Sequence, residues 1–309
     1  MSQENTLITI VGATAIGKTA LSIKLAQHFN CDIVSCDSRQ FYKEMAIGTA
    51  VPTPEELASA PHHFIQNRSI FEDYSVGQFE KDTLAKLEEL FSQNPIQIMV
   101  GGSGLYVDAV LKGLDYFPDV DPQIRVDLTT KLENKGIEYL QKRLKELDIE
   151  AYNTIAIDNP HRLIRALEVC IGTQKTYSSF KNKPKTPRNF QFIKIGLTAD
   201  REIMYDRINR RVDIMIEKGL IEEAEKLHPH RNLNALQTVG YRELFEYFEG
   251  TFTKEFAIEE IKKNSRRFAK RQGTWFRKDS NILWFDFQED IQQIINSIQI
   301  RLKQKPEKN

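Results

Sequence analysis

The chain has 309 residues, of which 40% are hydrophobic and 28% charged. That is an ordinary globular composition, long enough to bury a large core, and it excludes fibrous and low-complexity classes. Forty-three basic residues balance forty-three acidic ones, so net charge identifies no polyanionic partner, and any such surface must be local. The three cysteines, Cys31, Cys36 and Cys170, form no metal-type or CxxC pair, which fits a reducing compartment.

Taken in chain order, the N-terminus is polar and acidic, and the first apolar run, Leu7–Val11, is too short for a signal peptide or a membrane span. A cytoplasmic protein is therefore expected. Short runs rich in β-branched residues predict buried parallel strands at Leu7–Val11, Asp32–Cys36, Ile96–Val100, Phe192–Leu197 and Ile282–Phe287. Helical patterns separate them, so the fold class is α/β: a P-loop core with a parallel sheet flanked by helices. The interval 117–188 breaks this rhythm with charged helical stretches, Ile124–Asn134 and Ile137–Leu147, and a helix opened by Pro160. It ends in the Pro- and Lys-rich segment Lys181–Arg188. It is read as a helical insertion domain, with residues 1–116 and 189–309 forming the core. A helix from Asp200, an N-cap residue, to near Gly219 carries the apolar stripe Met204, Ile208, Val212 and Met215. A last helix with Ile291, Ile294, Ile295, Ile298 and Leu302 is expected to pack on the sheet, and the tail Lys303–Asn309 to fray.

Gly12-Ala13-Thr14-Ala15-Ile16-Gly17-Lys18-Thr19 follows the first strand and fits G-x-x-x-x-G-K-[ST]. The glycines let backbone N–H groups converge on a di- or triphosphate. The helix N-terminus adds positive potential, Lys18 a charge, and Thr19 a hydroxyl for Mg²⁺. An ATPase would place a metal-binding acid at another strand tip. Ile96–Val100 instead runs into Gly101-Gly102-Ser103-Gly104, and the strand-tip acid is Asp37. In an open parallel sheet both tips face the P-loop crevice, so Asp37 and Ser103 are placed for an acceptor substrate. Arg211 borders the stripe of its helix and can reach a diphosphate from there. Asp206 and Arg210 look like an ordinary i,i+4 surface pair.

Asp37-Ser38-Arg39-Gln40-Phe41-Tyr42, Ile47-Gly48-Thr49-Ala50, Pro61-His62-His63 and Gly101–Tyr106 together resemble the tRNA dimethylallyltransferase family. So do Asn159–Glu168, Gln237–Glu243 and Arg266–Arg277. Two departures stand out: family members commonly carry Lys where this chain has Val51, and many carry Thr where it has Ser103. The resemblance implies transfer of a prenyl group from dimethylallyl diphosphate to the exocyclic N6 of the adenine next to the anticodon. Diphosphate leaves, with Mg²⁺ as cofactor and a monomer as the working form. It implies Asp37 as general base, Lys18, Thr19 and Arg211 on the diphosphate, and Ser38, Arg39, Gln40 and Ser103 gripping an extruded adenine. Further tRNA contacts are expected from Arg125, His161, Arg162, Leu163, Ile164 and Arg165 in the insertion. In the core they are expected from Gln237, Tyr241, Arg242, Arg266, Lys270, Arg271 and Trp275.

Local charge points the same way. Between Ile261 and Lys278 there are eight Lys or Arg and no acid. Lys262, Arg266 and Lys270 form one row, and Lys263, Arg267 and Arg271 the next, a basic ridge suited to a phosphate backbone. Solvated helix faces usually mix signs. Lys175–Arg188 is a second acid-free patch, and the two patches are expected to clasp an anticodon stem-loop. His62 and His63 lack a third ligand at metal spacing and read as structural. The rival readings are a P-loop kinase of a nucleotide or small metabolite, a prenyltransferase acting on free adenine nucleotides, and a nucleotide-gated RNA-binding switch. A kinase would not need the ridge.

Overall fold

The structure is a computed structural model describing residues 4–183 and 185–304. Its centre is a six-stranded sheet of β1 (Thr6–Gly12), β2 (Ile33–Ser35), β3 (His62–His63), β4 (Ile96–Val100), β5 (Gln191–Thr198) and β6 (Ile282–Asp286). The order is β3-β2-β4-β1-β5-β6, and every pairing is parallel. β1 lies between β4 and β5, with Ile8 opposite Ile98 and Ile193. All seven of its residues are buried, which is why its sequence is a continuous apolar run instead of an alternation. Period-two alternation decides the faces. Ile8 and Ile10 enter one core with Leu25, Ile33, Ile195 and Ile294. Leu7 and Val11 enter the other with Phe79, Met99, Val107 and Phe276.

The helices around this sheet are α1 (Lys18–Phe29), α2 (Pro54–Ser59), α3 (Val76–Phe91) and α4 (Gly104–Lys112). After the insertion come α8 (Arg201–Glu217), α9 (Leu220–Leu227), α10 (Tyr241–Phe248), α11 (Lys254–Phe276) and α12 (Ile291–Lys303). As expected, α12 buries Ile294, Ile295 and Ile298 against the sheet core. A third core joins α8–α11 to the loop after β2 through Tyr42, Met45, Val212, Leu220, Tyr241 and Ile261. Asp200 does occupy the N-cap of α8, but its side chain accepts no capping bond. β3 has no counterpart among the strands expected from sequence, because its two residues, His62 and His63, carry no periodicity. Of the expected frayed tail, residues 305–309 lie outside those described.

The backbone divides into two compact units, one up to Lys112 and from Arg188 onward, the other from Gly113 to Pro187. The second unit contains α5 (Pro122–Leu147), α6 (Ile149–Thr154) and α7 (Pro160–Thr173). Each helix starts on a side-chain cap: Asp121, Asp148 and Asn159 accept from Gln123, Ala151 and Arg162, each worth about 1 kcal/mol. The two charged stretches of α5 meet at Gly136, whose φ of 77° interrupts the helix and suits glycine. Leu128, Leu140, Leu144, Leu163 and Leu167 form this unit's own core. Among the described residues no helix is long and apolar enough to cross a membrane.

Candidate active site

The candidate site stands at the C-terminal tips of β1, β2 and β4. Gly12 has a φ of 143°, and a Cβ there would sit 2.7 Å from the Leu197 carbonyl, so only glycine lets the loop lie against β5. The Lys18 ammonium donates to the carbonyls of Gly12 (3.1 Å) and Ala13 (2.7 Å). Burial lowers its pKa to about 8, Asp37 opposing the shift and Arg211 adding to it. Two distant side chains brace the loop. Gln272 accepts from the Thr14 amide at 2.9 Å and donates to the Gly102 carbonyl at 3.0 Å. Arg207 donates to the Ala15 carbonyl at 2.9 Å and lies over the Phe287 ring.

Asp37 follows β2 directly. The Cys36 amide donates to Val100 at 2.8 Å, and a Cβ on Gly101 would meet the Cys36 sulfur at 2.5 Å, so the two strand tips close on each other. One Asp37 oxygen accepts from the Arg39 amide at 3.1 Å. Ser38 meets the Ser103 hydroxyl through its amide (3.3 Å) and its own hydroxyl (3.1 Å). Arg39 donates to the carbonyls of Asn234 and Ala235, and Gln40 to those of Thr49 and Ala50. Burial lowers the Arg211 pKa, while the charges of Asp37 and Glu56 counter the shift. Its guanidinium has no hydrogen-bond or ion-pair partner among the described residues.

Two cavities meet here. The first, about 630 Å³, is lined by Thr14 to Thr19 with Ser35, Asp37, Gln40 and Arg211. The second, about 490 Å³, is lined by Asp37, Ser38, Arg39, Ser103, Gln237, Arg242, Arg271 and Trp275. Thr14, Ala15, Asp37, Arg211, Phe268 and Gln272 belong to both. Among the described residues no cluster of three or more His, Cys, Asp or Glu could hold a metal. A magnesium ion shared between one hydroxyl, phosphate oxygens and water needs none. Thr19 lines the same cavity as Asp37, so the donors present fit that ion.

Several expected RNA contacts are corrected. Tyr241 is fully buried, its hydroxyl donating to Glu223 at 2.7 Å. Leu163 and Ile164 are 0% and 5% exposed and belong to the insertion's core. These side chains therefore cannot meet an RNA surface. Arg125 makes two 2.7 Å bonds to the buried carboxylate of Glu168, with Arg165 at 3.7 Å from it, and both arginine side chains stay partly exposed. His161 and Arg162 are exposed. Arg188 does not belong to a basic patch: it donates to Val110 and Ala109 at the end of α4 and pairs with Glu80.

The ridge is uneven. Lys262 pairs with Asp213 and Glu259, and Lys263 with Glu260. The acid-free stretch began just after two acids that reach forward by three residues. Arg266 donates to Asn209. Arg267, Lys270, Arg271, Arg277 and Lys278 are exposed without an acid partner among the described residues. Trp275 donates to Asp108 at 3.0 Å and packs on Gly104, where a Cβ would stand 2.4 Å from its ring. His63 binds Asp32 and His62 the Ala60 carbonyl, structural contacts as read from sequence. Gln272 and Glu223 carry no signal in the sequence, and Arg207 reaches the loop from the same helix as Arg211. Only the position of Arg207 one turn before Arg211 signalled its reach.

Comparison with known proteins follows the same outline. The profile of the family described as IPP transferase matches residues 40–279. A tRNA dimethylallyltransferase of Flavobacterium psychrophilum is 63% identical over 97% of this chain and 99% of its own length. One of Flavobacterium johnsoniae is 64% identical over 96% and 98%. Among solved structures, the tRNA isopentenylpyrophosphate transferase of Bacillus halodurans shares 38% identity with a TM-score of 0.73, covering 97% of each chain. A eukaryotic dimethylallyltransferase described as acting on tRNA superposes with a TM-score of 0.83 at 25% identity, covering 98% of this chain and 82% of that one.

Proposed function

The chain belongs to the IPP transferase family, and from that premise we propose that it prenylates tRNA. It transfers the dimethylallyl group of dimethylallyl diphosphate to the exocyclic N6 of an adenine beside the anticodon and releases diphosphate. The relatives support this over the kinase and free-nucleotide readings. The observation that carries the chemistry is the meeting of the two cavities at Asp37 and Arg211.

The donor's diphosphate lies in the first cavity, against the amides of Ala15 to Thr19 and the Lys18 ammonium. Thr19 would hold Mg²⁺, which when bound adds positive charge beside the departing oxygens. Arg211, without a hydrogen-bond or ion-pair partner among the described residues, is placed to take the same oxygens. The acceptor adenine enters the second cavity, between Ser38, Ser103 and Trp275, as an unstacked base. The allylic C–O bond breaks with its electron pair going to diphosphate, and N6 bonds to the allylic carbon. The proton lost from N6 passes to the Asp37 carboxylate. Negative charge grows on the leaving group where the loop amides already point, so little reorganisation is needed. Arg267, Lys270, Arg271, Arg277 and Lys278 meet the RNA backbone. All these residues lie on one chain, in keeping with a monomer, and the substrate implies a cytoplasmic site of action.

The test is mass analysis of nucleosides from tRNA incubated with the protein, Mg²⁺ and dimethylallyl diphosphate. One adenosine gaining a dimethylallyl group is expected. Rapid tRNA-stimulated ATP hydrolysis without prenyl transfer would overturn the reading.

A further inference from the structure

Glu223 lines neither cavity, yet it holds more of the loop behind Asp37 than any residue that does. It stands in the first turn of α9, where an acid usually does no more than favour the helix N-terminus. Here both oxygens are engaged elsewhere. One accepts from the amides of Ala46 (3.0 Å) and Ile47 (2.8 Å). The other accepts from the Gly48 amide (2.9 Å) and the Tyr241 hydroxyl (2.7 Å). The segment it grips closes on itself, Ala50 donating to Ile47 and Val51 to Ala46. The next two carbonyls, Thr49 and Ala50, accept both bonds of the Gln40 side chain, and the Gln40 amide donates to the Asp37 carbonyl at 3.1 Å. Gly48 is pressed so closely on Tyr241 that a Cβ would stand 2.6 Å from its ring. Gly48 and Thr49 also line the second cavity.

We infer that Glu223 is a positioning residue for the transfer: by clamping Ala46–Gly48 it fixes the carbonyls that hold Gln40, and through Gln40 the turn that aims the Asp37 carboxylate. This rests on the reading of Asp37 as general base. The chain of contacts has no slack. Four donors converge on one carboxylate, a charge-assisted arrangement, and the segment they order touches the acceptor cavity on one side and the Asp37 turn on the other. The Gln40 side-chain NH₂, part of a residue expected to grip the base, spends its donors on Thr49 and Ala50 in this relay.

Glu223→Gln puts an NH₂ donor where an oxygen accepted backbone amides. Displacing a reacting group by about 1 Å can cost roughly a hundredfold, so the single-turnover rate is expected to fall by at least about tenfold, with tRNA and donor affinities within about twofold. In an Asp37→Asn background the same change should cost little more, because its effect passes through Asp37. Gly48→Ala, which leaves every polar group in place but drives the segment off Tyr241, should repeat the pattern. If Glu223→Gln fails to fold, Tyr241→Phe removes one donor and keeps the ring, and a smaller loss of rate is expected. A lowered melting temperature with an unchanged rate per folded molecule, or losses that add fully to those of Asp37→Asn, overturns the assignment. Absence of prenyl transfer by the unaltered protein would sink the function reading itself; normal transfer by the unaltered protein and these variants alike sinks only the role of Glu223.

Discussion

The two walls of the site are built in opposite ways. The phosphate wall is nearly local: Lys18 is held by carbonyls five and six residues away, and the converging amides come from one stretch of eight residues. The acceptor wall is assembled from afar. Ser38 bonds Ser103, Arg39 bonds Asn234 and Ala235, and the Ala46–Gly48 segment hangs on Glu223. Phosphate is one invariant shape that a backbone loop can match by itself, whereas an extruded base needs several directions of contact at once. Damage to the first wall should therefore appear as a charge defect, and damage to the second as a geometric one.

The sharpest way to break this contrast is Asp37→Asn, which keeps shape but removes the proton acceptor. General-base loss is typically worth 10²–10⁴-fold, so single-turnover transfer should fall by that factor with tRNA and donor binding nearly intact. A variant retaining more than about a tenth of the rate would leave Asp37 as a turn residue only.

On the phosphate wall the defect should follow pH. Burial lowers Lys18 to about 8, and a bound diphosphate favours its charged form. Raising the pH through that value makes binding take up a proton. Donor affinity should weaken by roughly tenfold between pH 7 and 9, and Lys18→Met should bind weakly with a flatter pH profile. The sign reverses for stability of the free protein. Across the window from about 8 to 10.5 the unfolded chain keeps a proton that the folded Lys18 has released, so its contribution to stability rises with pH. Calorimetry in buffers of different ionisation enthalpy would detect the proton uptake; none near pH 8 would contradict the buried lysine.

A smaller effect separates the two ends of the ridge. Reversing Lys270 and Arg271 should weaken all tRNAs alike and lower the salt slope by about two, one per lost phosphate contact. Reversing Lys262, already paired with Asp213 and Glu259, should change the slope by less than one. A change of about one from Lys262 alone would mean that its ion pairs open when RNA binds.

The strands, the phosphate loop and the acid at the β2 tip were legible in the sequence because each is a local pattern. Buried parallel strands must be apolar throughout, a phosphate cradle needs glycines and a lysine at set spacing, and a strand tip is where an apolar run ends. Arg211 was legible from its place on the stripe of α8. What only tertiary structure decided is where long side chains spend their hydrogen bonds. Tyr241 and Arg125 were both expected at an RNA surface, yet one is sealed against Glu223 and the other is paired with Glu168. Lys262 looked free because its acids stand on the preceding turn and on another helix. Gln272 and Glu223 are polar residues on ordinary helical faces, and nothing within a few positions of either reveals an amide waiting some 175 to 258 residues earlier. A hydrogen bond acts over about 3 Å whatever the separation along the chain, so only the folded backbone brings such partners together.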